Sequence, residues 1–98
     1  MAITIGNYQF DGNYSSPIYL DDRSGVYAVL GATIGGHKVV DIGESGWVRT
    51  RVQAHDRTTA WARQGLPLSY AALYCDDASR MRIERELRAR FSPPCGAR

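Results

Sequence analysis

Long apolar runs are missing from this sequence, and none approaches the roughly 18 residues a membrane-spanning helix needs. The N-terminus Met1-Ala-Ile-Thr-Ile-Gly6 has no basic stretch followed by an apolar one, so it lacks a secretory signal pattern. Cysteine is scarce as well. Cys75 and Cys95 stand alone, with neither C-x-x-C spacing nor a histidine pair nearby, which argues against a zinc site and a disulfide framework. Two reduced cysteines suit a cytoplasmic protein, and that is the expected location. Lysine is nearly absent: of 12 basic residues, all but Lys38 are arginine, the side chain that suits bidentate phosphate contacts.

What is present belongs to an ordinary globular chain. A 44% apolar and 22% charged composition excludes wholesale disorder, and 98 residues allow one domain with one modest core. The net charge of +2 is too small to announce a polyanionic partner, but its distribution is uneven. Residues 1–48 carry Arg23 and Lys38 against Asp11, Asp21, Asp22, Asp41 and Glu44. Residues 49–98 carry ten arginines against Asp56, Asp76, Asp77, Glu84 and Glu86. The second half is therefore the basic one, the half that would face nucleic acid.

Residues 1–23 are rich in Gly, Asn, Ser and Asp with interspersed aromatics, and read as an extension packed on the domain. Val26-Tyr-Ala-Val-Leu30 has the composition of a strand, Gly35-Gly36 suits a turn, and His37 to Ile42 make the return strand of a hairpin. Ser45 reads as the N-cap of a helix reaching about His55, with Val48 and Val52 as its apolar stripe. A short helical turn at Ala60–Gln64 follows, then a third strand at Leu68–Cys75. The last helix, Ala78–Phe91, is capped by Asp76 or Asp77 and carries Ile83, Leu87 and Phe91 at i, i+4 and i+8. The expected fold is α+β: a small three-stranded antiparallel sheet flanked by helices, residues 24–98, with the N-terminal extension beside it.

Chemistry concentrates at Val39–His55, where an acid (Asp41), a guanidinium (Arg51) and an imidazole (His55) fall within 15 residues, a set suited to handling phosphate. In order along the chain these residues resemble the GIY-YIG nuclease family. Gly25-Val-Tyr27 is similar to the first signature and Asp41-Ile-Gly43 lies where the second should be. Arg51 and His55 follow at the family's spacing. Ile83-Glu-Arg-Glu-Leu87 with Phe91-Ser-Pro-Pro94 resembles its metal-binding glutamate segment, which selects Glu84. The likeness spans about Ser24 to Gly96. Two positions depart from it: Asp41 replaces the tyrosine of the second signature, and Gly96 stands where the family has asparagine.

The resemblance implies a metal-dependent endonuclease acting on DNA, or RNA, with one Mg²⁺ or Mn²⁺ held by Glu84. It implies that Tyr27 or Asp41 activates water, that Arg51 offsets charge on the phosphate, and that His55 assists. Arg49, Arg80 and Arg88 are further candidates for backbone contact. With one site per chain, cutting both strands calls for a homodimer or sequential nicks. The rival expectation is a catalytically degenerate nucleic-acid-binding or protein-interaction module, in which Asp41 pairs with Arg51 and quenches it.

Overall fold

The run from Val26 to Leu30 is apolar at every position, the pattern of a strand covered on both faces, and it lies inside the sheet with a strand paired on each side. A computed structural model describes residues 1–96. Its strands are β1 (Ala2–Ile5), β2 (Tyr8–Tyr14), β3 (Gly25–Thr33), β4 (Gly36–Ser45) and β5 (Leu68–Tyr74). They form one curled antiparallel sheet in the order β1-β2-β5-β3-β4. Three helices complete the fold: α1 (Val48–Gln53), α2 (Thr58–Ala62) and α3 (Asp77–Phe91).

The three-stranded expectation is therefore wrong. The β3–β4 hairpin, β5 and α3 lie where the sequence places strands and helix, but residues 1–23 are no appendage. They supply β1 and β2, and β2 pairs with the edge of β5 through Asp11–Ala72 and Tyr14–Tyr70. The apolar side chains Ile5 and Phe10 reach the same core as β3 and α3. A region rich in Gly, Asn and Ser reads as loop because its strands are short and half-exposed. What orders them is pairing with a strand 60 residues away in sequence, which no local pattern announces. The domain expected at 24–98 also includes two residues, 97 and 98, that lie outside the described ones.

Strand β3 divides two cores by simple alternation. Val26, Ala28 and Leu30 pack with Ile5, Phe10, Ile42, Ile83 and Leu87, the side covered by α3. Tyr27 and Val29 pack with Leu20, Val40, Val48, Val52, Trp61 and Cys95, the side covered by α1 and α2. α3 begins at its cap, where the Asp76 carboxylate accepts from the Ser79 N–H at 2.8 Å, and ends at Ser92 in the left-handed region (φ 44°) before Pro93. α1 is capped differently from expectation. Ser45 Oγ accepts from the Trp47 N–H at 3.0 Å, outside the helix, and the helix starts at Val48. Its Thr50 N–H is instead satisfied from another segment by Asp22 Oδ1 at 2.8 Å.

Candidate active site

The site forms where the two faces meet, at the outer edge of β4. Tyr27 stands opposite Gly43 in the β3–β4 register, and Val29 stands opposite Asp41. A side chain at Gly43 would put its Cβ 2.2 Å from the Tyr27 Cζ and Oη, so only glycine lets the phenol lie across the edge strand. Two residues further back the register slips: Val29 pairs with Asp41 but Leu30 with Val39, leaving Val40 as a bulge. The bulge turns Val40 and Asp41 to the same side, toward Trp61.

A polar cavity of about 120 Å³ opens above Gly43, lined by Tyr27, Ile42, Gly43, Glu44, Arg51, Arg57 and Glu84. Tyr27 comes from β3, Glu44 from β4, Arg51 from α1, Arg57 from the α1–α2 loop and Glu84 from α3. A second depression, lined by Glu44, Met81, Glu84 and Arg85, continues it along α3. Both guanidiniums are part-exposed, with side-chain accessibilities of 41% for Arg51 and 34% for Arg57. Glu84 is buried at 4% yet borders the cavity, and the Glu44 carboxylate is held by Arg80 at 3.4 Å.

His55 stands behind Tyr27, its Nε2 2.7 Å from the phenol oxygen. The Arg57 amide donates to Nδ1 at 3.0 Å, and because an amide hydrogen cannot rotate away, Nδ1 carries the lone pair. The neutral ring then bears its proton on Nε2 and donates it to Tyr27. The Asp56 carboxylate also lies 3.1 Å from Nδ1, but Asp56 is mostly exposed and water can take its place. Burial, reinforced by Arg51 and Arg57, holds the His55 pKa below its ordinary 6.5, which favours that neutral ring. Tyr27 is pushed up to about 12, chiefly by burial and then by Asp41, against the opposing pull of Arg51 and Arg57. In the protein by itself Tyr27 is a phenol.

Asp41 is fully buried and is not part of the cavity wall. Its Oδ1 accepts from Arg88 at 3.0 Å, and its Oδ2 from Arg57 at 3.2 Å and from the Trp61 indole N–H at 2.8 Å. Removing an ion of this size from water costs several kcal/mol, and two guanidiniums plus an indole donor are what offset it. The anticipated pairing of Asp41 with Arg51 does not occur: Arg51 pairs with Asp56 at 3.7 Å instead. Arg88 also donates to the carbonyls of Ile42 (2.5 Å), Cys95 (3.3 Å) and Gly96. The chain after α3 is thereby tied over the buried charge. Gly96 has φ +71°, and a Cβ there would fall 2.3 Å from Arg57 Nη1 and 2.7 Å from Asp41 Oδ1. The two departures from the GIY-YIG pattern thus belong to one network: a carboxylate at position 41 draws in Arg57, and the room it takes excludes a side chain at 96.

The sequence candidates therefore divide. Tyr27, Arg51 and Glu84 meet in one cavity, with His55 bonded to Tyr27. Asp41 lies beneath it. Arg88 is held inside the protein. Arg80 bonds to Ser24 Oγ at 3.0 Å, Glu44 and Asp77, with 13% of its side chain exposed, while Arg49 reaches the Leu20 carbonyl at 3.5 Å. Two lining residues escaped sequence reasoning. Glu44 was passed over as a polar neighbour of Gly43, although its place beside that glycine was a usable signal. Arg57 sits in an irregular loop, where spacing carries no information.

No group of three or more His, Cys, Asp or Glu residues suited to a metal occurs among the described residues. Glu84 and Glu44 nevertheless border the same cavity, and two carboxylate groups suit Mg²⁺, which binds through one or two carboxylates with water and phosphate oxygens completing its shell. The donor set fits that ion. No protein-family model, curated protein or solved structure matches the chain. Among the described residues no helix is long and apolar enough to cross a membrane.

Proposed function

We propose that this chain is a metal-dependent endonuclease hydrolysing phosphodiester bonds in DNA, with the chemistry of the GIY-YIG nucleases. The observation that carries the reading is the meeting of Tyr27, Arg51 and Glu84, from three separate elements, in one polar cavity. A divalent ion held by Glu84 would supply Lewis-acid charge to the phosphate and acidify a bound water. Arg51 and Arg57 face the scissile phosphate from the other wall and offset the negative charge that grows on it. Arg57 shares its guanidinium with Asp41, so Asp41 is a positioning residue here and not the base.

Tyr27 orients the attacking water. Its hydroxyl is fixed by the His55 Nε2–H at 2.7 Å, which leaves the phenol proton directed away from the ring nitrogen. Because its pKa is raised to about 12, the phenol itself takes no proton near neutral pH without a further cation. The water's proton passes instead to a cavity carboxylate, and Glu44 is the one left when Glu84 anchors the ion. The partner is DNA or RNA, in the cytoplasm, with a homodimer or two successive nicks needed for a double-strand cut.

The test is plasmid nicking with Mg²⁺ and with Mn²⁺. Glu84→Gln and Arg51→Ala are each expected to lower the rate by about 100- to 1,000-fold. Two variants as active as the parent would remove the assignment. A rate that keeps climbing toward pH 12 would return the base role to Tyr27.

A second reading has its own observation. Asp41, at the position of the family's second tyrosine, has both oxygens bound by donors of the protein itself, as in a site rebuilt for structure. That reading is a nucleic-acid-binding module without hydrolysis. Calorimetry separates the two: stoichiometric Mn²⁺ binding that is lost in Glu84→Gln speaks against it.

A further inference from the structure

The chain has two tryptophans, and they differ sharply: Trp61 is 1% exposed and Trp47 is 66% exposed. Burying an indole stabilises a fold by several kcal/mol, so one left in water asks for an occupant. The backbone at Trp47 is held in place: its amide N–H donates to Ser45 Oγ at 3.0 Å, and its carbonyl accepts the Arg51 N–H at 2.9 Å, the first bond of α1. Trp47 is the N-cap residue of α1, four residues before Arg51 and three after Glu44. Both of those residues line the candidate cavity. The short 3-10 turn Pro17–Tyr19, which packs against α1, adds Ile18 and Tyr19, each 62% exposed. The nearby acids already have partners: Asp22 accepts from Thr50 N and Oγ1 at 2.8 Å each, and Asp56 pairs with Arg51. What this segment leaves exposed is an indole at the start of α1 and, four residues on, a part-exposed guanidinium.

That pairing is the chemistry that recognises a nucleotide, with a ring for the base and a cation for its phosphate. In an intact duplex the faces of the bases are covered by their neighbours, so an exposed indole next in the chain to cavity-lining residues can stack only on a base that is unpaired or splayed out. We infer that Trp47 is the stacking platform of a subsite for an unpaired nucleobase next to the phosphate held by Arg51. The inference rests on the proposed phosphodiesterase reading for where that phosphate lies. It names the substrate class: DNA with a single-stranded stretch at the point of attack. Stacking of this kind tolerates any base, which agrees with a cavity wall of charges and a phenol that offers no set of base-edge contacts.

The test reads binding, not cleavage. Short oligothymidylate and a blunt hairpin duplex of equal length are titrated into the protein in EDTA, with tryptophan emission followed. Trp61 is buried, so quenching by oligothymidylate reports Trp47. Trp47→Leu is expected to abolish the quenching and weaken oligothymidylate binding by about 5- to 150-fold. Trp47→Phe is expected to keep most of the affinity, and the duplex to bind parent and Trp47→Leu alike. Trp61 emission and the urea midpoint check that each variant is folded. Oligothymidylate binding unchanged in Trp47→Leu, or duplex binding weakened equally, would overturn the inference. The two readings fail separately. Quenching without cleavage under Mn²⁺ keeps the subsite and removes the hydrolase, while cleavage with no effect of Trp47→Leu does the reverse.

Discussion

The two faces of the sheet are built on different principles. Beneath α3 the buried residues are hydrocarbon: Ile5, Phe10, Val26, Ala28, Leu30, Ile42, Ala71, Ile83 and Leu87. Beneath α1 and α2 the core contains Tyr27, Trp61 and Cys95, and it encloses Asp41 and His55. The first face gains stability from burial alone, at about 25 cal/mol for each Å² of apolar surface. The second face encloses a charge and an imidazole, and does so through a chain of bonds: Asp41 holds the Arg57 side chain, the Arg57 amide holds His55, and His55 holds Tyr27. The difference teaches that one face is held by burial of hydrocarbon and the other by matched polar bonds around a buried charge. The cavity opens at the seam between them, on Gly43, where a missing side chain lets groups from both faces meet.

If the comparison is right, the strongest blow falls on the polar face. Asp41→Ala leaves the Arg57 and Arg88 guanidiniums facing each other without a counter-charge, and is expected to cost about 3–5 kcal/mol. That is a large share of the roughly 5–15 kcal/mol that stabilises a typical domain. Urea unfolding measures it, and a loss near zero would mean that the network is ornamental. Gly43→Ala is the next test. The added methyl meets the phenol, so about 1–3 kcal/mol of overpacking is expected, together with displacement of Tyr27 from His55. Displacement is visible as a change in the Tyr27 ring and His55 imidazole NMR signals.

On the apolar face Ile5→Val should cost only about 0.5–1.5 kcal/mol and leave site properties unaltered. It also tests whether residues 1–23 belong to the domain, since a loosely attached segment would show no loss of global stability. The smallest effect is that of pH. The folded-state pKa of His55 lies below 6.5, so the unfolded chain binds the proton first as pH falls. Its contribution is complete above pH 6.5, declines below that value, and is gone once the pH has passed beneath the folded-state pKa. Urea midpoints measured downward from pH 8 should fall for this reason, and less steeply in His55→Gln.

The candidate residues Tyr27, Arg51 and Glu84 were picked out of the chain by the ordered resemblance to GIY-YIG signatures; strand alternation and helical spacing, which are local rules, only placed them on β3, α1 and α3. Other features were not legible. That Arg88 turns inward was hidden, since an arginine on a helix is usually solvated. The role of Arg57 was hidden because a loop has no period. The exposure of Trp47 was hidden too, because sequence marks an indole as packing material without saying whether a partner is within reach.

The sequence by itself determined the periodic elements: the β3–β4 hairpin, β5, and α3 with Asp76 or Asp77 as its cap and an apolar stripe along it. These depend on residues a few positions apart, whose geometry the backbone dictates. Tertiary structure alone decided that β1 and β2 join the sheet, that Asp41 is neutralised by Arg57 and Arg88, and that Glu44 borders the same cavity as Glu84. Strand pairing and the partners of a buried charge depend on which distant groups the closed fold brings within hydrogen-bond reach. A one-dimensional pattern carries no distances of that kind.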